Sequence, residues 1–285
     1  FKIRGAYNRL LDIVNTENKK IYTCSAGNHA QGVALSGSHL NLKTNIVMPK
    51  LTPEIKINNV KNFGGNVILY GNSFDEAKEK CNKLVKKNNG ILIHPFDDFG
   101  VIAGQGTIGK ELLEQLSDID YVFIPIGGGG IAAGVSSYLK YVSPTTKIIG
   151  VETFDANCMY KSRLKDMILC LDNVGLFADG TAVKEVGTNT FNICKKNLDD
   201  IVLVDTDDIC LAIKDIYEDT RTISEPSGAL GVAGMKKYII KHQLENKNIV
   251  NILTGANMDF NKLSFVADRT GIKSNKEAMF FISIP

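Results

Sequence analysis

The stretch Tyr121-Val122-Phe123-Ile124-Pro125-Ile126-Gly127-Gly128-Gly129-Gly130-Ile131-Ala132-Ala133-Gly134 decides the fold. It opens as an apolar, β-rich run, passes through four consecutive glycines and continues in small residues that can begin a helix. A strand that enters a helix through a loop without side chains leaves backbone N–H groups free to converge on an anion at the helix N-terminus. The loop has neither the GxGxxG spacing of a dinucleotide turn nor the GK[ST] ending of a P-loop, so the anion expected is not a dinucleotide or a nucleoside triphosphate. A flexible turn is the alternative, and the apolar order on both flanks argues against it.

The same alternation runs outward in both directions. Ile3, Ala6, Tyr7, Leu10, Leu11 and Val14 recur at helical spacing over 3–14, which puts Lys2 at a helix edge. A short strand at 21–24 leads into SAGNHAQGVALSG, read as a strand-to-helix loop. Strands at 45–48, 66–70 and 91–94 alternate with helices at 54–62 and 73–87. A second series follows: helix 106–116, strand 121–124, helix 131–141, strand 147–151, strand 201–204, helices 207–220 and 227–241, and strand 248–253. Such alternation predicts an α/β protein of two open parallel-sheet domains with helices on both faces. The expected division is a small domain at 20–96, a larger cofactor domain made of 1–19 and 97–260, and a linker into a further unit at 261–285. Ligands of such sheets sit beyond the carboxyl ends of strands, where the loops 25–29, 127–130 and 254–257 lie.

At 285 residues and 44% hydrophobic content the chain can bury a substantial core, and none of its apolar runs approaches the about 18 residues of a membrane span. A formal net charge of +2, with no basic block interleaved with aromatics, gives no support to nucleic-acid binding and leaves a small molecule as the expected partner. The six cysteines are scattered without a CxxC pair and read as reduced, buried thiols. The four histidines show no metal-ligand spacing, so no metal site is expected. The sequence starts at Phe1 without methionine and shows no signal-peptide pattern, and truncation at both ends is the expectation.

Six motifs in order then carry a resemblance. Phe1-Lys2-Ile3-Arg4-Gly5-Ala6, Ser25-Ala26-Gly27-Asn28-His29, Gly127 to Gly130, Phe177-Ala178-Asp179-Gly180, Glu225-Pro226-Ser227-Gly228-Ala229 and Thr254-Gly255-Ala256-Asn257-Met258 together resemble the threonine dehydratases. These are fold type II enzymes dependent on pyridoxal 5'-phosphate. The tail LSFVADRTGIKSNKEAMFFISIP is similar to the start of the ACT-like regulatory domain in the biosynthetic, isoleucine-controlled form.

The resemblance implies roles residue by residue. Lys2 falls where the family carries its Schiff-base lysine, and Phe1 beside it would pack on the pyridine ring. Asn28 would donate to the cofactor's 3′-oxygen, while Ser25, Ala26, Gly27, Asn28 and His29 would receive the substrate carboxylate. Gly127, Gly128, Gly129, Gly130 and Ile131 would hold the 5′-phosphate, itself the implied proton donor to the leaving hydroxyl. Thr254 would face the pyridine nitrogen; Glu225 would either lie near the ring or serve as a helix-start carboxylate before Pro226. Ala26 stands where related racemases place a serine, and a methyl group carries no proton, which favours elimination. Glu152, Ala156 and Cys158 occupy the positions of a divalent-ion site in relatives such as serine racemase. The soft Cys158 replaces an aspartate there, so no magnesium is expected.

The implied reaction is dehydration and deamination of L-threonine to 2-oxobutanoate and ammonia, the first step of isoleucine biosynthesis, with side activity on L-serine. Alternatives are a catabolic serine/threonine dehydratase, a serine racemase, or a protein that holds the cofactor or an amino acid without turnover. A homotetramer is implied, in the cytoplasm or an organelle matrix.

Overall fold

A computed structural model describes residues 1–16 and 19–273. The elements in chain order are α1 (Lys2–Leu11), β1 (Ile21–Cys24), α2 (Asn28–His39), β2 (Thr44–Met48), α3 (Glu54–Asn62), β3 (Asn66–Leu69), α4 (Phe74–Lys87) and β4 (Ile91–Leu92). There follow α5 (Phe99–Gln115), β5 (Tyr121–Pro125), α6 (Gly130–Val142), β6 (Lys147–Thr153), α7 (Cys158–Lys165), a 3-10 turn (Asp179–Thr181), α8 (Thr188–Asn197), β7 (Asp200–Val204), α9 (Thr206–Thr220), α10 (Pro226–His242), β8 (Ile249–Asn251) and α11 (Asn261–Lys273).

The expected α/β class holds, with two four-stranded sheets, both wholly parallel. Their orders are β3-β2-β1-β4 and β7-β6-β5-β8. In each sheet the first strand of the chain lies between its second and its fourth. The winding therefore reverses at β1 in one and at β5 in the other, and the crevice beyond that strand's carboxyl end is where an open α/β sheet takes its ligand. The segment SAGNH follows β1, and the glycine run follows β5.

Packing divides the described chain into two compact units, bounded otherwise than the strand pattern suggests. The first comprises Phe1–Ser117, Gly128–Pro144 and Gly187–Asn197; the second comprises Asp118–Gly127, Thr145–Val186 and the described residues from Leu198 on. Helices α1, α5 and α6, expected beside the larger sheet, group with the smaller one, as does α8, a helix the sequence pattern did not predict. Glycines account for this. A Cβ on Gly5 would come 2.6 Å from the Val101 carbonyl oxygen, and one on Gly106 would come 3.1 Å from that of Gly134. These helix backbones therefore approach more closely than side chains would allow.

In the first unit Ile21 packs with Ala6, Leu10, Ile13 and Val33, while its neighbours in sequence, Tyr22 and Cys24, pack with Ala77 and Cys81 of α4. The two-residue period of β1 thus puts helices on both faces of this sheet. In the second unit Phe123, Ile149, Val151 and Val204 meet Ile209, Ile213, Ala229, Leu230 and Val266 from α9, α10 and α11. Residues 261–273 are therefore an ordered helix on this core and not a linker, fixed also by an Arg269–Asp207 ion pair of 2.7 Å. The remaining tail, with its likeness to a regulatory domain, lies outside the described residues.

Most of SAGNHAQGVALSG is helix, not loop. Its glycines are bought by packing: a Cβ on Gly32 would lie 3.2 Å from Ile3 Cα, so close helix contact overrides glycine's poor helix propensity. Five cysteines are buried and Cys170 is exposed, which qualifies the uniform burial expected of them.

Candidate active site

Lys2 opens α1, with Phe1 as the N-cap residue. Its Nζ donates to the Pro95 carbonyl at 2.9 Å and lies 5.2 Å from the centre of the Phe1 ring. The helix that carries it is latched to α5. Asn8 donates to the Gly100 carbonyl at 2.8 Å, Arg9 pairs with Asp98 at 2.9 Å, and Arg4 forks onto Glu111.

Pro95 belongs to His94-Pro95-Phe96-Asp97-Asp98, which follows β4; the sequence pattern places His94 at the end of a strand and gives the other four no role. His94 Nδ1 accepts the backbone N–H of Phe96 at 3.3 Å and of Asp97 at 2.8 Å, so the ring proton resides on Nε2. Burial lowers its pKa to about 4. Asp98 caps α5 through the Val101 N–H at 3.1 Å, which starts that helix seven residues before the expected 106. Asp97 accepts the N–H groups of Thr188 and Asn189 at 3.1 and 2.9 Å and that of Thr190 at 3.1 Å.

After β1, the Gly27 N–H donates to Ser25 Oγ at 3.3 Å, and Gly27 caps α2, whose first two residues are Asn28 and His29. Ser25, Ala26, Gly27 and Asn28 are partly exposed, whereas His29 is buried. His29 Nε2 lies 3.1 Å from the Ile93 carbonyl. A carbonyl can only accept, so Nε2 carries the proton. Burial first, then the charge of Lys2, lowers this pKa to about 3. A helix N-terminus with a neighbouring hydroxyl is suited to a carboxylate.

The glycine run is shaped by its surroundings. At Gly127, a member of the second unit, a Cβ would meet the Thr181 Cα at 3.0 Å. The other three belong to the first unit. A Cβ on Gly128 would strike the Phe96 ring, and one on Gly130 would lie 2.9 Å from Phe96 Cβ. Gly129 caps α6 with φ +91°, a left-handed conformation open to glycine. Ile131 is buried in the first turn of α6. The Gly128 carbonyl accepts from Thr190 Oγ1 at 2.6 Å, and the Gly129 carbonyl from Cys194 Sγ at 3.8 Å.

In the second unit Gly127 and Thr254 follow the adjacent strands β5 and β8. Thr254 is buried, and its hydroxyl donates to the Ser227 carbonyl at 3.3 Å. Glu225 is the N-cap residue of α10, and its N–H donates to the Gly255 carbonyl at 3.1 Å. Glu152 is buried, with its two oxygens on the N–H groups of Met159 and Tyr160 at 2.9 and 2.7 Å. It therefore binds the first turn of α7 from a neighbouring strand. Burial raises its pKa to about 8 against the pull of those two bonds. Burial, with Glu152 nearby, also pushes the Cys158 thiol up to about 12. Among the described residues no group of three or more His, Cys, Asp or Glu is placed to hold a metal ion.

A lysine at a helix start, a glycine turn and parallel sheets of reversed winding define a class, and the chain belongs to the pyridoxal-phosphate dependent enzyme family, whose pattern matches residues 1–255. Within that family it is 53% identical over 290 residues to the mitochondrial threonine dehydratase of Schizosaccharomyces pombe, covering 100% of this chain and 48% of that protein. The solved processed form of threonine deaminase isoform 2 from Solanum lycopersicum is 50% identical, with a TM-score of 0.93 over 95% of this chain and 79% of that one. Serine racemase from Dictyostelium discoideum is 33% identical, with a TM-score of 0.84 over 91% of this chain and 83% of that one. The chain spans about half the length of the curated relatives it matches.

The residues present fit the family's cofactor. The glycine turn, sterically closed to a side chain at Gly128, offers backbone N–H groups to a phosphate, and Lys2 offers an amine to an aldehyde.

Proposed function

We propose that this chain forms the catalytic part of a threonine dehydratase, a lyase that converts L-threonine to 2-oxobutanoate and ammonia and also acts on L-serine. The observation that carries the reading is the Lys2 amine resting on the Pro95 carbonyl in the same compact unit as Ser25 to His29 and Gly128 to Gly130. Similarity to threonine dehydratases along the whole chain supports it.

When bound, pyridoxal phosphate supplies an aldehyde that amines can bond and a ring that takes up the electron pair of a broken Cα–H bond. The chain's own residues do the rest. Lys2 would hold the cofactor through its amine, and the same amine, when free, would be the base that takes the proton from Cα. Phe1 would flank the ring, and the Asn28 amide would donate to the 3′-oxygen. The hydroxyl and N–H groups of Ser25 to His29 orient the substrate carboxylate, and the N–H groups of Gly127 to Ile131 receive the phosphate. Burial makes His29 and His94 weak bases, which leaves proton transfer at Cα to Lys2. Thr254 would serve the ring nitrogen as an uncharged hydroxyl, for which its single proton would have to leave the Ser227 carbonyl.

A serine racemase is the second reading, supported by the likeness to the Dictyostelium enzyme. The methyl of Ala26 opposes it, since racemisation needs a second proton carrier. Isoleucine control is proposed for a form carrying the additional length of the relatives. A homotetramer, to be checked by light scattering, completes the proposal. No helix among the described residues is long and apolar enough to cross a membrane. With relatives named mitochondrial and chloroplastic, the proposed compartment is the cytoplasm or an organelle matrix.

The test is 2-oxobutanoate formation from L-threonine by the protein loaded with pyridoxal phosphate. Lys2→Ala is expected to lower the rate by about a thousandfold or more. Product formation that survives this substitution would sink the assignment of Lys2, and cofactor binding without any turnover would favour a binding protein.

A further inference from the structure

A run of four glycines has no side chains to hold its peptide planes, and an anion cup works only if its N–H groups already point at the anion. Because a peptide is planar and trans, its N–H points opposite to its C=O. Whatever holds the Gly128 carbonyl therefore aims the Gly129 N–H, and whatever holds the Gly129 carbonyl aims the Gly130 N–H. The second of these carbonyls is held by α6 itself, which bonds it to the Ala133 N–H at 2.8 Å. The first precedes the helix and is met by Thr190 Oγ1 at 2.6 Å, from a fully buried side chain on α8. The same hydroxyl lies 3.1 Å from the Gly187 carbonyl, and its single proton favours the shorter bond.

We propose that Thr190 is a positioning residue for the phosphate-holding turn, fixing the Gly128 peptide so that the Gly129 N–H faces the anion. Asp97 keeps Thr190 in place by gathering the first three N–H groups of α8. Phe96, the residue before it, fills the space that a side chain on Gly128 would take. One short segment after β4 thus braces the turn twice, by contact and through α8. The inference rests on the proposed cofactor reading and adds to it a residue 62 positions from the glycine it holds.

The experiment compares pyridoxal phosphate with pyridoxal, which has the same aldehyde and no phosphate, by titrating the cofactor-free protein and following absorbance. Thr190→Val keeps the side-chain shape and removes the donor; Thr190→Ser keeps the donor. Thr190→Val is expected to weaken pyridoxal phosphate binding by about tenfold, the effect of one lost hydrogen bond, while pyridoxal binding stays within about twofold. Thr190→Ser is expected to keep the wild-type preference for the phosphorylated form. Should the valine variant not fold, Thr190→Ala must show the same split. Equal weakening toward both aldehydes, or no change toward either, overturns the proposal. Wild-type protein that binds neither aldehyde overturns the cofactor reading instead. A wild-type preference for the phosphate that Thr190→Val leaves intact overturns only the role of Thr190.

Discussion

His29 and His94 both feel the positive charge of Lys2, yet burial is the larger cause of their lowered pKa values. For His29 the folded-state value of about 3 lies below the ordinary 6.5, so below pH 6.5 the unfolded chain binds the proton that the folded chain refuses. Its contribution to stability is complete above 6.5 and is lost as pH falls toward 3. Between pH 7 and pH 5 that loss is about 2 kcal/mol. Urea unfolding at the two pH values checks it: His29→Asn is expected to show a pH dependence smaller by about that amount, and an unchanged dependence would mean His29 titrates normally when folded. At the level of single residues, much of the proposed site can be named from the sequence. Lys2, Ser25 to His29 and the glycines sit in contiguous motifs whose backbone chemistry is local. Phe96, Asp97 and Thr190 cannot be so named, because each acts across a long sequence separation. The one local hint was Asp-Asp ahead of an apolar run, a helix-start signal that does account for Asp98.

At the level of elements, the strands were easiest to read, since their apolar runs need no knowledge of partners. Helix α8 was missed because its start, Thr188-Asn189-Thr190, lacks helical apolar spacing and takes its cap from Asp97 about 90 positions away. Helix α7 was missed for a like reason, its first turn being held by Glu152 on β6. Helix α4 shows the opposite case, with Ser73 and Glu76 forming a capping box within four residues. Asp97→Ala and Ser73→Ala remove one cap each, and both are expected to cost about 1 to 2 kcal/mol in urea unfolding with little change in the slope. They should differ in reach. Asp97→Ala alone is expected to reduce the preference for pyridoxal phosphate over pyridoxal, because only α8 carries the donor to Gly128. Loss of that preference in Ser73→Ala would point to a general loosening of the fold.

At the level of the molecule, both sheets share one winding without a detectable sequence repeat, and the ligand-binding expectation comes from that winding: the strand where it reverses is followed by SAGNH in one unit and by Gly127 in the other. The unit boundaries were not legible, because they depend on glycine contacts between α1, α5 and α6 that no hydrophobic period reveals. The burial of Cys24, Cys81, Cys158, Cys194 and Cys210 beside an exposed Cys170 has a practical consequence. The native protein is expected to consume one equivalent of a thiol-specific dye and the urea-unfolded protein six, as counted by mass spectrometry. Modification of two or more thiols before unfolding would contradict the buried placements. The chain therefore brings its own single attachment point for a fluorescent reporter, with no need to engineer one.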